Sequence, residues 1–163
     1  HDLGLPLLAY KRLKWYLDAF FFELMSAYET LLQELNVTYA RSLNLPEQDV
    51  RWSRIKGELP ITLVDYMDSK WREEWFKKIR QFRHTAAHRS NIWGMWSKGR
   101  SGDKPWDYDN HHAFIVRIDE NTGEIKEEDV EDVSVCTKLL WSMVEHIQKV
   151  WEQMAEKFTQ TKL

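Results

Sequence analysis

The sequence predicts an all-α fold, an antiparallel four- to five-helix bundle with a small β-hairpin inserted before its last helix. Three observations support this. Apolar residues recur at steps of three or four along three long stretches. Segments rich in Gly, Pro and Asn separate those stretches. One short run alternates, is rich in β-branched residues, and is followed by an Asp-to-Gly turn.

The first long helix is expected from about Pro6 to about Leu35. Pro6 suits a first helical turn, where its missing N–H costs nothing. Leu13, Leu17, Phe20, Leu24, Tyr28, Leu31 and Leu35 form one face, which Phe20, Phe21 and Phe22 widen. Asn44-Leu45-Pro46 reads as a turn leading into a short helix, and Gly57 and Pro60 interrupt the pattern again. A second long helix is expected from about Ile61 to about Arg89, with Leu63, Met67, Trp71, Trp75, Ile79, Phe82 and Ala86 as its apolar stripe. Asn91 and Gly94 are its stop signals.

Residues 92–111 hold Gly94, Gly99, Gly102 and Pro105 and read as a long loop. The hairpin is expected over about 112–126, with Glu124-Ile125-Lys126 pairing back across the turn at 119–123. The last helix is expected from about Val130 to about Phe158, with Val133, Cys136, Leu140, Met143, Val144, Ile147, Trp151, Met154 and Phe158 as its apolar face. The chain reads as one domain over residues 1–163. It begins at His1 rather than Met, as a piece of a longer protein would.

A chain of 163 residues buries enough surface to fold without disulfides or a structural metal. The single Cys136 has no intrachain partner, which fits a reducing, cytoplasmic compartment. No apolar run approaches the roughly 20 residues needed to cross a bilayer, so no membrane role is expected. Lys11, Arg12, Lys14 and Asp18 break the apolar N-terminal stretch, which excludes a signal peptide. The net charge is −3, but it is unevenly spread. From Lys70 to Lys104 there are ten lysines and arginines against three acids, a balance of +7. From Asp119 to Leu163 there are eleven acids against five lysines, a balance of −6. The first segment makes a local field suited to an anionic ligand.

That basic segment contains Arg83-His84-Thr85-Ala86-Ala87-His88. On a helix, Arg80, His84 and His88 fall on one stripe at i, i+4 and i+8, while Ile79, Phe82 and Ala86 point to the core. Arg83 and His88 lie about 140° apart on an ideal helix. They reach one ligand together only if the helix end distorts or a second copy contributes. The residue types suit phosphodiester cleavage through the RNA 2′-hydroxyl. Histidine takes a proton near neutrality, and arginine offers a planar fork to the charge that builds on phosphate oxygens.

The segment 83–88 resembles the R-φ-x-x-x-H motif of the HEPN superfamily, in which φ is a polar residue, most often Asn. Phe82-to-Arg89, together with the 116–126 segment, is similar to the bacterial HEPN subgroup that has a hairpin insert before its last helix. The resemblance implies a HEPN-like bundle that pairs as a homodimer, with two motifs forming a composite site. It implies metal-independent endoribonuclease activity leaving a 2′,3′-cyclic phosphate, in a bacterial defence or toxin system, with RNA as substrate and an antitoxin or other regulatory partner. Arg83 takes the arginine role on the scissile phosphate, His88 the general acid or base role, and His84 the polar position. Lys77, Arg80, Arg89 and Trp93 are the expected RNA-binding residues. Antitoxin-regulated members with a nucleotidyltransferase partner carry Tyr two residues after the motif histidine. Ser90 stands there in this chain, so modification at that position is not expected.

Blander roles stand beside these. His88 is also suited to a helix C-terminus, where a cation is favoured, and Arg83 to an ion pair with Glu23. Trp93, Trp96 and Trp106 suit either base stacking or a lid on the core. His84 and His88 at i, i+4 have zinc-like spacing, but Thr85 stands where a zincin needs Glu. His111 and His112 complete no ligand set and are expected at an exposed strand start. No metal and no cofactor are expected. The alternative function is a non-catalytic HEPN domain that binds nucleotide or RNA, or serves as a dimerisation module.

Overall fold

A computed structural model of the chain describes residues 4–87, 92–97, 112–117 and 130–160, with side chains described within 11–84, 115–116 and 130–156. The described residues are mostly helical, with a small antiparallel sheet. In chain order they are α1 (Gly4–Tyr39), α2 (Trp52–Ile55), α3 (Ile61–Arg72), α4 (Glu74–Ala87), β1 (Ile92–Ser97), β2 (His112–Arg117), β3 (Val130–Asp132) and α5 (Val135–Gln160). Short 3-10 turns at Arg41–Leu43, Glu47–Asp49 and Lys56–Glu58 link α1 to α3. Among the described residues, no helix is long and apolar enough to cross a membrane.

The chain sorts into two compact units. One comprises residues 1–23 and 79–138, the other 24–78 and 139–163. In the first, Leu17 and Phe21 of α1 and Ile79 and Phe82 of α4 are buried, as are Ile115 and Val116 of β2. Phe21 and Phe82 stack with ring centroids 4.5 Å apart. Offset aromatic pairs of this kind add roughly 0.5–1.5 kcal/mol beyond area burial.

The sheet of this unit has the order β1-β2-β3, antiparallel throughout. Ile92 pairs with Arg117 and Ser97 with His112 on one side of β2, and Val130 pairs with Val116 on the other. This corrects two expectations. Residues 92–97 are a strand, not the start of a loop, and Gly94 lies opposite Ile115 rather than ending a helix. Residues 130–132 are a strand, not the first turn of the last helix. Asp132 Oδ1 then accepts a hydrogen bond from the Ser134 N–H at 2.8 Å, a local turn that competes with helix, and α5 starts at Val135. The expected return strand at 124–126 lies outside the described residues.

In the second unit the core is built from Leu24, Tyr28, Leu31 and Leu35 of α1, Ile55 of α2, Leu63 and Met67 of α3, Phe76 of α4, and Leu139, Met143, His146, Val150 and Met154 of α5. α1 continues past the expected Leu35 to Tyr39, and Ala40 after it is fully buried. The expected long helix over 61–89 is two helices. Glu73 leaves the helical region at φ −68°, ψ 147°, and its carbonyl then accepts from the N–H groups of Phe76 and Lys77 at 3.1 Å to start α4. Its carboxylate accepts from Lys70 Nζ at 2.6 Å and from the Trp75 indole N–H at 2.7 Å. The break shifts the phase of the stripe, so that Phe76 is buried while Trp75 is half-buried.

The phase of α5 differs too. The sequence places Leu140, Val144 and Trp151 inward, but all three are exposed, and the buried row is 139, 143, 146, 150 and 154. Asn44 is the one non-glycine residue with positive φ among those described (φ 47°, ψ 43°), and its N–H donates to the Arg41 carbonyl at 3.1 Å. Asn tolerates this left-handed conformation better than other L-residues. Asn44→Ala is expected to cost about 1 kcal/mol in urea denaturation, and Asn44→Gly to leave stability within a few tenths of a kcal/mol. Equal midpoints for the Ala and Gly variants would contradict this.

Candidate functional site

α4 presents the described part of the motif. Its first turn is set by Glu73, and its apolar row of Phe76, Ile79 and Phe82 faces the core. That row leaves the intervening residues of the helix partly or fully at the surface. Arg80 and Arg83 are half-buried and His84 is exposed. His84 lies in the last turn of α4, where the helix dipole favours a cation.

Arg83 lies with its guanidinium carbon 5.3 Å from the centroid of the Phe22 ring. Its Nε is buried and has no hydrogen-bond partner. The alternative ion pair with Glu23 does not form between these two described side chains, and Glu23 is exposed. The aromatic face steadies the guanidinium of Arg83 without using a hydrogen bond, and among the described residues no acid pairs with it. A contact of this kind is worth roughly 0.5–1 kcal/mol at a partly exposed position.

Lys77 is half-buried and donates to Glu74, an exposed helical ion pair of little net worth. A polyanion displaces such a pair at small cost. The remaining expected site residues are outside what the structure describes. His88 and Arg89 follow the end of α4 and lie outside the described residues, as do Thr85-to-Ala87 as side chains. Trp93 and Trp96 sit on β1 opposite Val116 and Ala113, with their side chains outside the described set. His112 begins β2 as expected, opposite Ser97. His111 and Trp106 lie outside the described residues. The structure therefore places Arg80, Arg83 and His84 on the last two turns of one helix, with Lys77 further back along it. Among the described residues, no group of three His, Cys, Asp or Glu gathers as a metal site.

Cys136 is half-buried, and burial, reinforced by the Glu131 carboxylate, pushes its thiol up to about 11. It is protonated at neutral pH and unsuited to nucleophilic work.

Sequence reasoning missed a second polar cluster, in the unit of residues 24–78 and 139–163. His146 of α5 is 2% exposed, and neither ring nitrogen has a hydrogen-bond partner. Its ring stacks near Tyr66 (centroids 5.6 Å) and Tyr28 (6.1 Å), with Trp75 at 5.9 Å and Phe76 at 6.2 Å. Burial drives its pKa down to about 4, helped by the Lys70 charge and opposed by Glu73. The ring is neutral at physiological pH. The signal was present in the sequence, since 139, 143, 146 and 150 are also a helical row. The adjacent Leu139 and Leu140 make two phases plausible, and a row containing His looks the less apolar one.

Comparison of the chain with protein-family models, curated proteins and solved structures finds no match. The described residues form a mostly helical fold in which a three-stranded antiparallel sheet follows the fourth helix and precedes the fifth in chain order.

Proposed function

We propose that this chain is a metal-independent endoribonuclease of the HEPN type, acting as a homodimer in which two copies of the Arg83–His88 motif serve one composite site. The observation that carries the reading is Arg83. It sits one turn from the end of α4, held on an aromatic face, and among the described residues no acid pairs with it, so its guanidinium keeps donor capacity. An arginine tied into a structural ion pair would have no such capacity. The motif's position on α4, before strands and a final long helix, supports the same reading.

The chemistry asked of these residues is limited. An imidazole removes the 2′-hydroxyl proton or protonates the 5′-leaving oxygen. A guanidinium stabilises charge on the phosphorane oxygens. His84, exposed at the same helix end, is placed to orient substrate. The basic balance of the 70–104 sequence favours a polyanion such as RNA, so activity is expected to fall with added salt. A role in defence or toxin systems, and an antitoxin-type partner, follow from the same family reading.

The test is direct. Single-stranded RNA incubated with the purified chain in EDTA is expected to yield fragments ending in 2′,3′-cyclic phosphate, resolved on a denaturing gel. RNA that binds but stays intact at every protein concentration would instead favour a non-catalytic, RNA-binding HEPN domain.

A further inference from the structure

We infer that the cleft over His146 is a binding site for a small, uncharged, planar heteroaromatic molecule. The cleft belongs to the unit of residues 24–78 and 139–163 and has a volume of about 380 Å³. Its lining includes the half-buried Tyr66, Trp75 and Ser142 and the buried His146.

Three features set the ligand class. First, a buried imidazole with no partner at either nitrogen is costly, about 1–3 kcal/mol per unsatisfied group. A neutral imidazole carries one donor and one acceptor nitrogen, so it is matched by a ligand that also offers both kinds of group. Second, the aromatic walls favour a flat ring, and the volume suits one or two fused rings. Third, the rim carries no net positive charge. Lys70 is paired with Glu73 at 2.6 Å and Lys149 with Glu152 at 3.0 Å, and Glu145 adds an acid. Nothing there rewards a phosphate or carboxylate. A larger cleft of about 720 Å³, lined by Tyr28, Glu29, Gln33, Arg51, Trp52 and Trp71 among others, lacks the first feature. None of its lining side chains has a buried polar atom without a partner.

This inference uses none of the motif residues on α4 and stands apart from the nuclease reading. The experiment is a titration of the 15N-histidine-labelled chain with adenine and with nicotinamide, followed by NMR of the imidazole nitrogens. The His146 resonances are assigned by their loss in His146→Phe, a variant that keeps a planar ring in the aromatic shell. Saturable shifts of the His146 nitrogens, with affinity at least tenfold weaker in His146→Phe by calorimetry, are expected. AMP is expected to bind more weakly than adenine. Absence of saturable shifts with both probes at millimolar concentration, or equal affinity in His146→Phe, would overturn the site. AMP binding more tightly than adenine would overturn the assignment to uncharged ligands. His146→Tyr, which restores one polar group to the ring, provides the same comparison should His146→Phe fail to fold.

Discussion

His88→Ala is expected to lower RNA cleavage by about 10²–10⁴-fold, the range for losing a positioned general acid or base. Arg83→Ala is expected to lower it by about 10²–10³-fold, the range for losing one donor to a developing oxyanion. The two losses have different characters. Without His88, the pH–rate profile should lose one limb, because the group that titrates near neutrality is gone. Without Arg83, the profile should keep its shape and fall as a whole, since guanidinium stays charged at every relevant pH. Arg83→Lys should recover little, because an ammonium replaces a planar fork with a point charge. Folding should survive each change. Arg83→Ala removes only the contact with Phe22, roughly 0.5–1 kcal/mol. Denaturing gels of RNA in EDTA give the rates, and thermal melts by circular dichroism check the fold. If both variants cut at the parental rate, the nuclease reading is wrong.

Acid should unfold this protein earlier than its carboxylates alone require, and His146 is the reason. Its folded pKa is pushed down from the ordinary 6.5 to about 4 by burial, then by Lys70, against the opposing charge of Glu73. The groups around it are Tyr28 of α1, Tyr66 of α3, Trp75 and Phe76 of α4 and, lining the same cleft, Lys70, Glu73 and, on α5 itself, Glu145 and Lys149. A depressed histidine pKa means that the unfolded chain takes up the proton first. Stability is therefore complete above the unfolded value of about 6.5 and falls as the pH drops from there towards 4. The loss from this one group is about 3 kcal/mol, from the two pKa values. That is a large part of a typical folding free energy of about 5–15 kcal/mol. Urea denaturation at pH 7, 6, 5 and 4 measures it. His146→Phe should lose about 3 kcal/mol less than the parent over that range. Parallel curves for the two proteins would show that His146 does not titrate in isolation from water.

Much of the fold was legible because helical periodicity reports burial directly. Leu17, Leu24, Tyr28, Leu31 and Leu35 were assigned to the core of α1, and all are buried. Leu63, Met67, Ile79 and Phe82 were likewise assigned correctly. The two strand misses share a cause, a partner distant in sequence. Residues 92–97 become a strand by pairing with 112–117, and Gly94 within them imitates a helix stop. Residues 130–132 carry Glu and Asp, a good helix start by local rules, yet they pair with 114–116. The α3–α4 break has no Pro or Gly to announce it, because Glu73 makes it with a side chain that accepts two hydrogen bonds. For the candidate site, residue type and spacing brought Arg83 and His84 to attention. Nothing in the spacing foretold that Phe22, rather than Glu23, would meet the arginine, since adjacent helical positions differ by only about 100°.

Glu73 has one more effect. The same carboxylate that parts α3 from α4 is the counterweight holding the His146 imidazole from still lower basicity. Its own pKa is held down chiefly by the Lys70 ammonium hydrogen bond, so it too favours the native state only while ionised. Two proton-uptake events thus share a single linchpin. As the medium turns acidic, both the His146 ring and the Glu73 carboxylate must take up protons that the native fold disfavours. Acid therefore acts on this junction twice, and the loss of stability should be steeper than either group alone would give.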